Sequence, residues 1–193
     1  MVPESRFLYF AYGSNMLTAR LRARCPSARP LAAAVVQDVS LSFCKRGHDG
    51  SGKATLAAAA YGEDAVHGVL FEIADTERER LDAAEGPGYA RQAQPVMVRA
   101  DGERVVRAHS YVARNEARNE SLIPFDWYHA LVLAGALEHR LPHAYVDGVR
   151  AVAARQDPRP DRARRQTALS ILRSAGFEWL LEPQRWPAPA RCR

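Results

Sequence analysis

Three cysteines, Cys25, Cys44 and Cys192, are all the chain contains, and no two stand in a Cys-x-x-Cys pair. That excludes a disulfide framework, favours a reducing compartment and leads to an expected cytoplasmic location. Lysine is as scarce, with Lys45 and Lys53 alone among many arginines. No run approaches the roughly 18 uncharged apolar residues of a membrane span. The opening MVPESRFLYFAYGSN lacks both the basic-then-apolar layout and the small-residue cleavage site of a secretory leader. Neither Gly-x-Gly-x-x-Gly nor Gly-x-x-x-x-Gly-Lys-Ser/Thr occurs, so dinucleotides and nucleotide phosphates have no foothold. His139 and His143 are four apart, but Pro142 interrupts any shared helical face, and the other histidines stand singly. No metal site is expected. Ser14 lacks a Gly-x-Ser-x-Gly setting and no cysteine sits in a nucleophile context, which gives a covalent acyl mechanism little support.

What remains is an ordinary globular composition, 47% apolar and 25% charged over 193 residues, enough for one well-buried core. The formal net charge of +5 is unevenly placed. From Arg155 onward nine arginines face four acids, which accounts for the whole excess and leaves residues 1–154 neutral. The expected organisation is therefore a body at 1–155 and a basic helical tail at 156–193. The arginines at 159–165 lack interleaved aromatics and read as a solvated face, so no nucleic-acid partner is expected.

Phe7–Ala11 reads as an interior strand that breaks at Gly13-Ser14-Asn15, and residues 16–24 as a short helix stopped before Pro26. Val35–Phe43 alternates as one half-buried strand, followed by a polar, glycine-rich loop, CKRGHDGSGK, with a mobile tip. Ala54–Ala60 and Val66–Ile73 form strands joined around Gly62-Glu63-Asp64, and Gln94–Ala100 and Arg104–Ala113 form a hairpin about Asp101-Gly102. Thr76 and Glu79 match a capping box for a helix that ends at Gly86-Pro87. Asp126 can cap a helix through Arg140, weakened by about 1 kcal/mol at Gly135. Pro142 suits the start of another helix, and residues 166–175 a last one closed by Gly176. Early strands, one embedded helix and late helices give an α+β fold with a mixed sheet or barrel flanked by helices.

Two features can carry chemistry. Gly13 and Ser14 lie where a strand ends and a helix begins, so backbone N–H groups there can cradle a carboxylate or an oxyanion. The same residues also serve as a plain tight turn. Glu85 stands at a helix C-terminus, where the dipole and apolar neighbours raise a carboxylate's affinity for a proton toward the range useful for transfer. A glutamate before glycine is equally common as a solvent-facing terminus.

In sequence order, FLYFAYGSNMLTARLRARCPSA at 7–28, VHGVLFEI at 66–73, LDAAEGPGY at 81–89, RAHSYVA at 107–113 and WYHALVLAGALEHRLPHAYV at 127–146 resemble the γ-glutamylcyclotransferase family. The likeness spans about residues 5–155 and assigns nothing to the tail. It implies a small mixed β-barrel flanked by helices, a cavity at one end, no cofactor, and a homodimer. It further implies that Tyr12, Gly13, Ser14 and Asn15 hold a small γ-glutamyl substrate through backbone amides, that Glu85 is the catalytic acid–base, and that Tyr128 closes over the substrate. The implied reaction cyclises a γ-glutamyl amino acid to 5-oxoproline and releases the amino acid. Glutathione, a γ-glutamylamine or a biosynthetic γ-glutamyl intermediate is the alternative substrate, although Asn15 after Tyr-Gly-Ser favours the dipeptide type. A non-catalytic binding protein on the same scaffold is the alternative of a different class.

Overall fold

The structure, a computed structural model, describes residues 5–59, 64–98 and 104–182. Five strands close into a barrel in the order β1-β5-β2-β6-β7, comprising β1 (Arg6–Ala11), β2 (Arg29–Gln37), β5 (Ala65–Ala74), β6 (Tyr89–Val98) and β7 (Arg104–Ala113). Each pairing is antiparallel except the β1–β7 closure, which is parallel at Tyr9 and His109, so the barrel is mixed as expected. Helices α1 (Thr18–Arg24), α2 (Arg78–Glu85), α3 (Asp126–Glu138), α4 (His143–Ala151) and α5 (Ala163–Ser174) surround it. Among the described residues, no helix is long and apolar enough to cross a membrane.

The expected single strand at 35–43 is two strands in different sheets. β2 stays in the barrel, while β3 (Val39–Arg46) leaves it to pair with β4 (Gly52–Ala58) as a separate two-stranded ribbon. The break is at Asp38, whose φ of 61° is a left-handed conformation that Asp tolerates better than most residues. For the same reason β4 and β5 do not pair with each other; β4 belongs to the ribbon and β5 lies between β1 and β2. The expected joint at 62–64 lies mostly, and the turn at 101–102 wholly, outside the described residues.

The expected glycine-rich loop is also shorter and more firmly tied than its composition implies. Only residues 47–51 turn, because Cys44-Lys45-Arg46 end β3 and Gly52-Lys53 begin β4. Asp49 holds the turn, accepting from the Ser51 amide at 3.0 Å, Ser51 Oγ at 2.9 Å and Lys53 Nζ at 2.8 Å. A register shift between Ser42 and Lys45 interrupts the alternation and buries Phe43, Cys44 and Lys45 in succession. Bulges of this kind re-aim side chains, and here Lys45 turns inward.

Thr76 is not the residue that flanks α2: it lies inside a short 3₁₀ turn, Asp75–Glu77, and Glu77 stands at the N-cap without a side-chain cap hydrogen bond. Asp75 instead engages Ser5 and Arg78, and Glu77 accepts from Ser27 Oγ at 2.6 Å. Asp126 is likewise the first residue of α3 rather than its cap, with Phe125 before it. The C-terminal stop of α2 is as expected, with Gly86 at φ 79°.

α3 is the centre of the helical layer, and every residue from Trp127 to Ala136 is buried. α5 begins at Ala163, three residues earlier than expected, and packs on α3 with Ala168 and Leu172 fully buried. Asp157 fastens this junction, accepting from Trp127 Nε1 at 3.0 Å, Arg162 Nε at 2.6 Å and the Arg159 amide at 3.0 Å. Burial alone would raise the Asp157 carboxyl, but Arg162 and the other donors hold it down at about 2. A depressed folded-state value means that the stabilisation is complete above the unfolded value near 3.8 and disappears as pH falls through about 2. The stability gap between the wild type and Asp157→Asn is therefore expected to narrow between about pH 4 and pH 2 in denaturant titrations. A gap constant over that window would contradict this role.

Candidate active site

β1 runs out of the barrel at Ala11, and the chain turns at once through Tyr12 and Gly13 into a 3₁₀ turn, Ser14–Met16. The first internal hydrogen bond of that turn is Met16 N–H to Gly13 O at 3.0 Å. The amides of Gly13, Ser14 and Asn15 precede it, at the end of a helical turn whose N–H groups seek an outside acceptor. Helix α2 comes from the β5–β6 connection and delivers Glu85, its last residue, to the same place.

Tyr12, Gly13, Ser14, Asn15, Glu85 and Tyr128, the six residues picked out in the sequence, all line one inner crevice of about 30 Å³. Tyr9, Ala54, Tyr89 and Tyr111 complete it. The crevice opens into an outer cavity of about 460 Å³, with Ser14, Glu85, Tyr89 and Tyr128 lining both. Thirty cubic ångströms is about the space of one water, so a substrate must lie mostly in the outer cavity and reach only one group inward.

Glu85 is not in the apolar setting expected for it. Its side chain is 14% exposed, and Oε1 accepts from Asn15 Nδ2 at 2.7 Å and Arg24 Nη1 at 2.9 Å. Arg24 also donates to Asn15 Oδ1 at 3.0 Å, closing a three-membered ring of hydrogen bonds. Both partners of Glu85 are donors, which suits a carboxylate that begins as a base. Among the described residues no hydrogen bond engages Oε2, the oxygen left for a substrate proton.

The tyrosines remain neutral phenols. Burial, followed by the nearby Glu85 charge, pushes Tyr9 and Tyr12 well above the ordinary tyrosine value, and burial does the same for Tyr89, Tyr111 and Tyr128. Two of them hold the backbone of one residue on both sides: Tyr128 Oη accepts from the Ala54 amide at 3.0 Å, and Tyr89 Oη donates to Ala54 O at 2.7 Å. Tyr12 Oη donates to Tyr111 O, and Tyr9 Oη accepts from Asn15 Nδ2 at 3.0 Å.

Sequence reasoning missed the basic lining of the outer cavity, which includes Arg20, Arg24, Lys45, Lys53 and Arg164. Lys53 is paired with Asp49 and lies over the rings of Trp127 and Tyr128, and burial lowers it to about 8 despite the pairing. Among the described residues no three His, Cys, Asp or Glu side chains converge as a metal set.

Residues 9–130 match the family described as gamma-glutamyl cyclotransferase, AIG2-like. The human gamma-glutamylcyclotransferase is 32% identical over 155 residues, covering 77% of this chain and 80% of the human protein. The bovine gamma-glutamylcyclotransferase is 33% identical over 145 residues, covering 72% and 74%. A solved structure titled gamma-glutamyl cyclotransferase superposes with a TM-score of 0.76 at 26% identity, covering 86% of this chain and 99% of that one.

Proposed function

The chain belongs to the gamma-glutamyl cyclotransferase, AIG2-like family, and on that premise we propose that it is a γ-glutamylcyclotransferase that cyclises a γ-glutamyl amino acid to 5-oxoproline and releases the amino acid. The observation that carries this reading is Glu85 held by Asn15 and Arg24 at the mouth of a crevice lined by Gly13, Ser14 and Asn15.

The substrate's γ-carbonyl oxygen points toward the amides of residues 13–15, and its α-ammonium faces Oε2 of Glu85. Proton counting sets the task. The ammonium nitrogen begins with three protons and ends in the lactam with one, while the amide nitrogen begins with one and leaves as an ammonium with three. Two protons therefore cross from one nitrogen to the other, and Glu85 carries each in turn, ending ionised as it began. Its first uptake frees the amine, which attacks the γ-carbonyl carbon of the same molecule. Nucleophile and electrophile are already tethered, and effective molarities of about 10⁵–10⁸ M are the relevant scale. Holding the chain folded is much of what the protein contributes. Amide N–H groups stabilise the oxyanion until it collapses and expels the protonated amine.

Tyr128 positions the wall of the crevice. Tyr128→Phe removes the acceptor of the Ala54 amide, and an unsatisfied buried N–H costs about 1–3 kcal/mol. The expected outcome is a lower melting temperature and a raised KM with a smaller change in kcat. Unchanged KM and stability would remove Tyr128 from the site.

The same proposal includes the family's homodimer and a cytoplasmic setting, in which the buried Cys25 and Cys44 stay as free thiols. Light scattering should give about twice the chain's 21.4 kDa, and a mass of one chain would contradict the dimer. The activity itself is tested by incubating the protein with γ-glutamyl amino acids, γ-glutamylamines and glutathione and detecting 5-oxoproline by mass. None from any of them would overturn the proposal.

A further inference from the structure

Among the described residues lining the outer cavity, Glu85 is the one carboxylate, facing five cations, Arg20, Arg24, Lys45, Lys53 and Arg164. Arg24 is matched by Glu85 and Lys53 by Asp49. The other three have no carboxylate partner among the described residues. Arg20 spends its Nε on the neutral Ser14 Oγ at 3.0 Å. The Lys45 ammonium lies 4.5 Å from the centre of the Tyr89 ring, and the Arg164 side chain is exposed at the start of α5. These three charges come from α1, β3 and α5, so the chain folds three separate segments to bring them to one hollow.

A γ-glutamyl compound with a neutral leaving amino acid brings a single carboxylate to this part of the cavity. One carboxylate leaves most of the cationic lining unmatched. We propose that the outer cavity selects γ-glutamyl compounds whose leaving amine is a dicarboxylic amino acid, with Arg20, Lys45 and Arg164 receiving its two carboxylates; this rests on the cyclotransferase reading above and names the substrate class of that same site. Guanidinium groups such as Arg20 and Arg164 suit two-point binding of a carboxylate, and Lys45 supplies a compact charge deeper in.

The charges also bear on one another. Burial and then the neighbouring Arg24 lower the Arg20 guanidinium to about 9, with Arg164 adding to the effect. Burial lowers the Lys45 ammonium too; Glu85 opposes this and Arg164 reinforces it. A dianion placed among them relieves that repulsion, whereas a neutral side chain leaves it in place. The basic tail residues that sequence reading left without a role thus include one wall of the leaving-group site.

The test compares kcat/KM of the purified full-length protein for γ-glutamylglutamate and γ-glutamylglutamine, which match in size and differ by one charge, with 5-oxoproline read by mass. The acidic substrate is expected to be favoured about tenfold, the worth of one added charge-assisted hydrogen bond. The preference should shrink at about 1 M salt, where the screening length is about 3 Å. It should also shrink in Arg164→Ala, a change at an exposed position that the fold tolerates, and in Lys45→Met as a second variant. Equal or lower kcat/KM for the acidic substrate would overturn the selectivity while leaving the cyclisation standing. A preference undiminished in both variants would overturn its assignment to these cations. No 5-oxoproline from either compound or from γ-glutamylalanine would overturn the underlying reading, and the selectivity with it.

Discussion

Glu85→Gln is expected to reduce 5-oxoproline formation by at least about 10³-fold, near the upper part of the range for removal of a general acid–base group that acts in more than one step. An amide of the same size can still accept from Asn15 Nδ2 and Arg24 Nη1 through its oxygen, so the ring of hydrogen bonds around residue 85 keeps its shape. The substitution therefore removes the proton carrier and spares the architecture. Circular dichroism and the melting temperature should stay close to wild type while turnover is lost. Near-normal turnover by a folded Glu85→Gln protein would end the proposed role of this residue.

Gly135→Ala is expected to destabilise the protein by about 2 kcal/mol or more and to lower activity as well, although residue 135 is not among the lining residues of either hollow. Helix propensity alone predicts the opposite, a gain of about 1 kcal/mol for alanine over glycine. Packing decides the sign. A Cβ at 135 would stand 2.5 Å from the Leu17 amide nitrogen and 2.5 Å from Met16 Cβ, closer than real Cβ contacts come. Both neighbours belong to the segment that ends the 3₁₀ turn bearing Ser14 and Asn15. The backbone of that turn must shift to make room, and the amides proposed to hold the oxyanion shift with it. Reduced thermal stability together with reduced kcat is the signature; a stabilised variant of full activity would show that α3 does not set the turn.

These two positions also show what could be read from the residues and what could not. The strand-turn-helix at 7–24 and the helix ending at Glu85-Gly86 were legible because local chemistry fixes them: an apolar run, a glycine turn, and a glycine in the left-handed region after the last helical residue. Their meeting is a long-range event between residues 70 positions apart, and only the family resemblance pointed to it. Gly135 looked like a local defect because its reason lies on another element. The split of 35–43 was hidden because Val35, Val39, Leu41 and Phe43 continue an alternation across Asp38, and periodicity does not register which sheet a strand joins. The polar Gln37-Asp38 pair was the available signal.

The cationic cavity was illegible for a similar reason. Lys45 and Lys53 sat in a stretch rich in glycine and polar residues, where composition predicts solvent exposure, yet a register shift and the Asp49 turn bury both. Arg164 read as one of several solvated arginines, and nothing in its spacing says that α5 lies against α1 and α3. Charge counting placed the excess beyond residue 154, whereas Arg20, Arg24, Lys45 and Lys53 lie in the part it found neutral; a net count does not register which side chains converge on one hollow.

The most direct measurement is a crystal structure of the Glu85→Gln protein with γ-glutamylalanine bound. The account predicts the substrate's α-amine within about 2.6–3.2 Å of the residue 85 side chain, with the γ-carbonyl oxygen turned to the amides of residues 13–15. A ligand bound with its amine remote from residue 85, or outside the hollow beside Gly13, would contradict it.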